Sequence, residues 1–198
     1  MLLYRLLNLL LIPLTLSYIG WKAVRHRQLH YFKNRLGIGL NHIPQRCLWL
    51  HCASVGEVNT ALPLLEELHR RHPQQKFLIT TNTPTGAQIV LRQGKPYLFH
   101  AYLPFDWILA VTLFVNSVKP DALYVLETEL WPNLFGVCHN NDIPVTIING
   151  RLSSKTTSTY QWVRNILGHI LRMTEHIYAR SEADSKAFIE LGAIAGKV

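Results

Sequence analysis

Residues 47–57, Cys-Leu-Trp-Leu-His-Cys-Ala-Ser-Val-Gly-Glu, contain a short apolar run followed by a polar turn. The run does not alternate between apolar and polar side chains over its length. Such a run is typical of a strand that is buried on both faces of a parallel sheet. The Gly-Glu pair after it indicates a turn into a helix.

Five similar runs follow along the chain, and amphipathic stretches separate them. Leu62, Leu65 and Leu68 have the spacing of one helix face. Six such units in about 150 residues predict an α/β domain with a doubly wound parallel sheet, which is a Rossmann-like fold. The predicted strands are Cys47–Cys52, Lys76–Thr80, Tyr97–Tyr102, Ala122–Leu126, Pro144–Ile148 and His176–Ala179.

The unusual residues of this sequence follow the predicted strands, whereas the returning loops contain ordinary turn residues. In an open α/β sheet, the ligand crevice lies at the carboxyl ends of the strands. We therefore expect one site at that edge, formed by the loops 53–57, 81–86, 103–106, 127–133, 149–154 and 180–184.

Glu57 is the first candidate catalytic residue. It could act as a general base, and Gly56 would let a substrate approach the backbone closely. Alternatively, Ser54 caps the helix and Glu57 completes a capping box. No Lys follows Gly56 and no G-x-G-x-x-G occurs, so a P-loop and a dinucleotide site are disfavoured.

Glu127 and Glu129 follow the fourth predicted strand. An ion pair with Arg151 is one interpretation, because an acid beside apolar runs is costly unless it is paired. The other is chemical: two carboxylates on one edge, Glu57 and Glu127, suggest sugar chemistry. The pattern does not choose between a hydrolase and a transferase.

Thr83, Thr85 and Gly86 begin the second predicted helix of this domain. Their hydroxyl and N–H groups could hold an anion, or Thr83 could simply cap the helix.

The N-terminal segment has a different character. Residues 2–21 are mostly apolar and, as a helix, would be about 30 Å long, which is one hydrocarbon thickness. We interpret them as an uncleaved membrane anchor, either spanning or interfacial, rather than a signal peptide or a core helix. The remainder then lies in the cytoplasm.

The basic residues also lie near the N-terminus. Of a net charge of +8, residues 1–35 carry six basic residues and no acid, and residues 22–46 form a basic juxtamembrane segment. The nearly neutral body argues against a nucleic-acid binder. The three cysteines form no C-x-x-C and the histidines form no H-E-x-x-H, so no disulfide framework or metal site is predicted.

Several of these motifs together resemble the bacterial 3-deoxy-D-manno-octulosonic acid (Kdo) transferases. The resemblance covers essentially the whole chain. It rests on residues 54–57 (Ser-Val-Gly-Glu), 83–86 (Thr-Pro-Thr-Gly), 102–106 (Tyr-Leu-Pro-Phe-Asp), 127–133 (Glu-Thr-Glu-Leu-Trp-Pro-Asn), 149–153 (Asn-Gly-Arg-Leu-Ser) and 191–193 (Leu-Gly-Ala).

The resemblance implies a GT-B glycosyltransferase at the cytoplasmic face of the inner membrane. Such an enzyme transfers Kdo from CMP-Kdo to a lipid A precursor during lipopolysaccharide biosynthesis, with inversion and without a metal or other cofactor. Glu57 aligns with the general base, and Glu127 aligns with an acid that supports the transition state. Basic residues at 22–35 would face anionic headgroups. Ser54, Gly56, Thr83, Thr85, Gly86 and Arg151 are then the acceptor-side candidates.

The sequence differs from the family in one minor and one major respect. Gly150 replaces the usual Ala, and the family continues beyond the position of Val198 into a second Rossmann-like domain with a catalytic Lys and most CMP contacts. We therefore expect residues 47–198 to be the acceptor-side domain and to be inactive alone. A membrane-attached glycolipid-binding module without catalysis is the alternative.

Overall fold

A parallel β-sheet forms the centre of the protein. The computed structural model describes residues 2–25, 29–152 and 161–198. The strands are β1 (Leu48–His51), β2 (Phe77–Thr81), β3 (Leu98–Tyr102), β4 (Ala122–Leu126), β5 (Val145–Gly150) and β6 (His176–Ala179). Their order across the sheet is β3-β2-β1-β4-β5-β6, and every neighbouring pair is parallel.

Helices connect the strands and cover both faces of the sheet. They are α1 (Leu2–Arg25), α2 (Leu29–Arg35), α3 (Val55–Arg71), α4 (Pro84–Arg92), α5 (Ile108–Val118), α6 (Pro132–Asn140), α7 (Gln161–Arg172) and α8 (Glu182–Leu191), followed by a short 3₁₀ helix at Ala195–Lys197.

The strands are apolar on both sides because each face of the sheet packs against helices. In β1, Trp49 belongs to a cluster that includes Phe114 of α5, whereas Leu50 belongs to a second cluster with Leu65 of α3. All residues of β2 are buried. The absence of alternation in the sequence is therefore the direct result of burial on two faces.

The doubly wound parallel sheet predicted from the sequence is confirmed. Each of the six predicted strands lies within two residues of an observed strand. β1 and β4 are neighbours in the middle of the sheet, and the helices that follow them, α3 and α6, pack in different clusters. The crevice of a doubly wound fold opens at such a switch point, at the carboxyl ends of the strands.

The N-terminal helix α1 packs against this domain by its first turn. The Tyr4 hydroxyl donates to Asp106 Oδ2 at 2.8 Å, and Arg5 Nε donates to Asn133 Oδ1 at 3.1 Å. Within the residues that the structure describes, no helix combines the length and the apolar character needed to cross a membrane. The transmembrane helix predicted over residues 2–21 is thus not supported.

The predicted basic segment 22–46 contains one clear departure. Arg35 does not face outward. It is buried, its Nη1 donates to the Leu103 carbonyl oxygen at 2.8 Å, and its guanidinium lies 5.2 Å from the ring centres of Tyr31 and Phe105. The expectation that Arg35 faces anionic headgroups is wrong, because this side chain joins α2 to the loop after β3. Residues 26–28 of this segment, and residues 153 and 154 of the predicted loop 149–154, lie outside the described residues.

Candidate active site

A cavity of about 390 Å³ opens at the carboxyl ends of β1 and β4. The loops after β1, β4 and β5 supply most of its lining, because parallel strands end at the same edge of the sheet. Its lining residues are Glu57, Glu127, Thr128, Glu129, Leu130, Arg151 and Leu167. The structure therefore brings together four of the residues singled out by the sequence, which are Glu57, Glu127, Glu129 and Arg151.

Glu57 lies in the first turn of α3 and is held by a capping box. Its backbone N–H donates to Ser54 Oγ at 3.2 Å, and its Oε2 accepts the Ala53 N–H at 2.8 Å. This pair differs from the usual capping box by one residue: it satisfies the Glu57 N–H, which the helix itself leaves free, and the N–H of Ala53, which precedes the N-cap Ser54. The cap does not exclude a chemical role, because Glu57 also lines the cavity.

Burial controls the ionisation of Glu57. The side chain is 7% exposed, and this burial raises its pKa above the ordinary value for glutamate. Hydrogen bonds from Ser54 and Ala53 and the nearby His51 oppose the rise, whereas the charge of Glu127 adds to it. A carboxylate with a raised pKa holds an abstracted proton better than an exposed one, which suits a general base.

Glu127 begins the loop after β4 with an uncommon backbone conformation. Its φ is 57°, in the left-handed region that side chains other than glycine seldom adopt. Its N–H donates to the Ile148 carbonyl oxygen at 2.9 Å, and the next residue, Thr128, contacts the backbone of Arg151 through its hydroxyl. Such strain costs about 1–3 kcal/mol and clusters at functional sites.

Glu129 has a different partner from the one that the sequence suggested. Its Oε2 accepts the indole N–H of Trp131 at 2.9 Å and lies 3.7 Å from Nε2 of His51. His51 and then Trp131 lower the pKa of Glu129 against the effect of burial. Among the described residues, Arg151 makes no ion pair with Glu127 or Glu129. That prediction is wrong, because the loop brings the Arg151 backbone, not its guanidinium, to Thr128.

Two acceptor-side candidates lie at the N-terminus of α3. Ser54 is the N-cap and is exposed, as is Gly56. A Cβ added at Gly56 would meet only Ser54 Oγ, at 3.8 Å. Packing within the chain therefore does not require glycine here, and the space beside the backbone is open to a ligand.

Thr83, Thr85 and Gly86 do not line the cavity that contains Glu57. Thr83 caps α4 by accepting the Gly86 N–H at 3.2 Å and the Thr85 hydroxyl at 3.2 Å. A Cβ at Gly86 would lie 3.2 Å from Thr83 Oγ1 and 3.3 Å from the Thr81 side chain, so these neighbours would have to move by a few tenths of an ångström. Thr83 also lines a neighbouring cavity of about 330 Å³ with Arg35 and Trp131. The hydrogen bonds of the Thr83 and Thr85 hydroxyls fit the helix-cap interpretation.

Sequence reasoning gave no role to His51 or Asp106. His51 is fully buried, and the signal in the sequence was a histidine at the end of an apolar run, three residues before Ser54. Asp106 accepts the backbone N–H groups of Asn133 and Leu134 and the Tyr4 hydroxyl. The signal for Asp106 was an acid directly before a helix, but its partners lie too far along the chain for the sequence to indicate them.

The thiols offer no nucleophile at this edge. Cys47, Cys52 and Cys138 are free and buried. Burial raises the pKa of Cys47 and of Cys138 to about 12, so both stay protonated at neutral pH. Within the described ranges, no group of three or more His, Cys, Asp or Glu side chains is arranged to hold a metal ion.

Comparison with known proteins shows the family. The family model described as 3-deoxy-D-manno-octulosonic-acid transferase (kdotransferase) matches residues 30–198. The 3-deoxy-D-manno-octulosonic acid transferase of Haemophilus influenzae is 35% identical over 194 residues, which is 96% of this chain and 45% of the relative. That of Rickettsia bellii is 30% identical, over 96% of this chain and 46% of the relative. The chain thus spans about half the length of these relatives.

Solved structures support the fold. A UDP-GlcNAc 2-epimerase from Neisseria meningitidis bound to UDP-GlcNAc matches with a TM-score of 0.53 and 17% identity, over 78% of this chain and 46% of that one. Another UDP-N-acetylglucosamine 2-epimerase matches with a TM-score of 0.54 and 14% identity, over 77% and 47%. At such low identity the likeness concerns the Rossmann-like architecture alone.

Proposed function

The chain belongs to the 3-deoxy-D-manno-octulosonic acid (Kdo) transferase family, and we propose that it provides the acceptor-binding half of a Kdo transferase. The reaction is the transfer of Kdo from CMP-Kdo to a hydroxyl of a lipid A precursor. The observation that carries this proposal is the shared cavity of Glu57 and Glu127 at the switch point of the sheet.

Glu57 acts as the general base in this proposal. As the acceptor oxygen bonds to the anomeric carbon of Kdo, the bond from that carbon to CMP breaks, and the hydroxyl proton passes to Glu57. The Ala53 N–H donates to Oε2 at 2.8 Å and holds the carboxylate at the cavity, where it takes that proton. Attack opposite the leaving group inverts the anomeric centre. The raised pKa of Glu57 favours proton capture late in the step.

Glu127 stabilises the transition state in this proposal. Glycosyl transfer develops positive charge at the anomeric carbon, and a carboxylate in the same cavity attracts that charge. Two features of the loop after β4 hold Glu127 in place. Its backbone is in the left-handed conformation, and its N–H donates to the Ile148 carbonyl oxygen. We propose, from the family resemblance, that no metal ion takes part; the transfer rate is then unchanged in EDTA.

The acceptor is a lipid, and the N-terminal helix offers a surface for it. A largely apolar cavity of about 530 Å³ lies between α1 and α5, with Leu9, Ile12 and Leu113 in its wall. Beside it, Leu10 is 75% exposed and Leu109 is 68% exposed. We propose that this face lies on the cytoplasmic side of the inner membrane, with α1 in the interface rather than across it.

Transfer is best tested in a chimera in which this chain replaces the matching region of the Haemophilus influenzae relative. With CMP-Kdo and a lipid A precursor, we expect Kdo-modified lipid by mass spectrometry. The 198-residue chain is tested in parallel for binding of the precursor in detergent micelles. Binding without any transfer by the chimera would favour the alternative, a glycolipid-binding module without catalysis. Neither binding nor transfer would reject the proposed function.

A further inference from the structure

His51 is a buried imidazole at the carboxyl end of β1, next to the cavity of the candidate active site. The side chain is wholly inaccessible to solvent. A buried polar ring must find hydrogen-bond partners, because an unpaired buried polar group costs about 1–3 kcal/mol. One ring nitrogen, Nδ1, meets Thr80, whereas Nε2 has no hydrogen-bond partner within the described residues.

The contacts of His51 with Thr80 and Glu129 favour a proton on Nε2 rather than on Nδ1. The indole N–H of Trp49, which can only donate, donates to Thr80 Oγ1 at 2.8 Å. The Thr80 hydroxyl therefore has its own proton to give, and His51 Nδ1 lies 3.0 Å away. The carbonyl oxygen of Thr80 lies 3.2 Å from Nδ1 and accepts the Cys52 N–H at 2.9 Å, so the hydroxyl is the nearer partner of Nδ1. With Nδ1 as an acceptor, the proton of the neutral ring is on Nε2.

The Nε2–H group of His51 then faces Glu129. The distance from Nε2 to Glu129 Oε2 is 3.7 Å, which is an electrostatic contact that a small side-chain rotation converts into a hydrogen bond. The same oxygen accepts the Trp131 indole N–H at 2.9 Å. A chain of contacts thus runs from Trp49 through Thr80, His51 and Glu129 to Trp131, from the buried strands to the loop after β4.

We propose that His51 is a positioning residue for the transfer reaction: its Nε2–H holds Glu129 and thereby fixes the loop 127–131 so that Glu127 faces the cavity of Glu57. Glu127 lies two residues from Glu129 in a strained left-handed conformation, which the loop keeps only if its other contacts hold it. The effect of His51 on catalysis rests on the proposed function. The contact by which His51 holds Glu129 does not depend on that function.

The hold itself is tested by NMR on the 198-residue chain. With ¹⁵N-labelled histidine, we expect His51, assigned by its loss in His51→Gln, to be the neutral Nε2–H tautomer. Thr80→Ser keeps that tautomer, whereas Thr80→Val removes the donor to Nδ1 and shifts the population away from it. His51→Leu shifts the Trp131 indole resonance and raises the pKa of Glu129, measured by carboxyl ¹³C titration. A proton on Nδ1, or a Glu129 that does not respond to His51→Leu, overturns the proposal.

The catalytic consequence is tested in the chimera. We expect His51→Leu to lower kcat about 10- to 100-fold with little change in the KM for the acceptor, since the loop is misplaced rather than lost. His51→Gln, whose amide N–H lies near the position of Nε2, restores most of the rate. In a variant that already carries Glu129→Gln, we expect His51→Leu to lower kcat little further, because both substitutions break the same contact between His51 and Glu129.

A merely structural role predicts other results. His100 is a matched control, because it is also buried in a strand but contacts Thr81 and lies on β3. We expect His100→Leu to lower the unfolding temperature while leaving kcat within a few fold. Equal losses of kcat in His51→Leu and His51→Gln would overturn the positioning role. If the unmodified chimera transfers no Kdo, the proposed function fails, and the tautomer and the Glu129 titration still decide whether His51 holds Glu129.

Discussion

At the scale of single residues, Glu57 combines two roles that the sequence presents as alternatives. Its backbone N–H and its Oε2 complete the capping box with Ser54 and Ala53. The same residue lines the cavity that Glu127 also lines. The cap fixes the position of the carboxylate, and burial raises its pKa, so the structural role supports the chemical one.

The raised pKa of Glu57 predicts a pH-dependent cost in stability. The folded chain binds a proton at this carboxyl more tightly than the unfolded chain, whose glutamates titrate near pH 4.3. The stabilisation from this tighter proton binding is fully present below the pKa of Glu57 in the unfolded chain. It is lost as the pH rises through the pKa of Glu57 in the folded chain. Gln stays neutral at every pH. We expect Glu57→Gln to gain stability relative to wild type as the pH rises from 4 to 7.

Urea unfolding of both chains at the two pH values measures this difference. Glu66→Gln, on the same helix but exposed, is the control and should show no comparable gain. A difference between Glu57→Gln and wild type that is identical at pH 4 and pH 7 would contradict the raised pKa.

At the scale of elements, the strands were predictable and the partners of their end residues were not. Non-alternating apolar runs identify β1 to β6 because burial on two faces leaves no room for polar residues, as Trp49 and Leu50 show. The sequence likewise indicated the capping box, since its residues are three apart. His51 and Glu129 are 78 positions apart, so only the crossover from β1 to β4 reveals their contact.

The cap of α3 gives a prediction for that helix. Ser54→Ala removes the acceptor for the Glu57 N–H and should cost about 1 kcal/mol in the free energy of unfolding. Ser181→Ala is the matched control, because Ser181 caps α8 with the same geometry on the Asp184 N–H. We expect similar losses of stability by urea unfolding, but a lower transfer rate in the chimera only for Ser54→Ala. Equal transfer rates in the two variants would show that the cap of α3 does not affect the candidate active site.

At the scale of the whole molecule, apolar surface and positive charge concentrate in the N-terminal part. Residues 1–35 hold six basic residues and no acid, and the leucines of α1 and α5 are exposed beside one cavity. Length and apolar composition suggested an anchor, but they could not show that Tyr4 and Arg5 contact the domain. Those contacts depend on the side chains of Asp106 and Asn133, which are remote in the sequence.

This surface predicts binding to anionic membranes. We expect the 198-residue chain to float with vesicles that contain anionic phospholipid, and the double variant Leu10→Asp/Leu109→Asp to lose at least about ten-fold in partitioning, because each charge must leave the apolar interface. Leu91→Asp is the matched control: Leu91 is 61% exposed but lies on α4. Equal partitioning of all three chains would reject this face as the membrane contact.

The central claim is that Glu57 is the base of a Kdo transfer reaction, and the transfer rate of Glu57→Gln tests it most directly. In the chimera, with CMP-Kdo and a lipid A precursor, we expect kcat to fall by about 10²- to 10⁴-fold, while Glu66→Gln stays within a few fold of wild type. Binding of the precursor by the 198-residue chain should be unchanged by either substitution. A Glu57→Gln chimera that transfers Kdo within a few fold of the wild-type rate would contradict the claim.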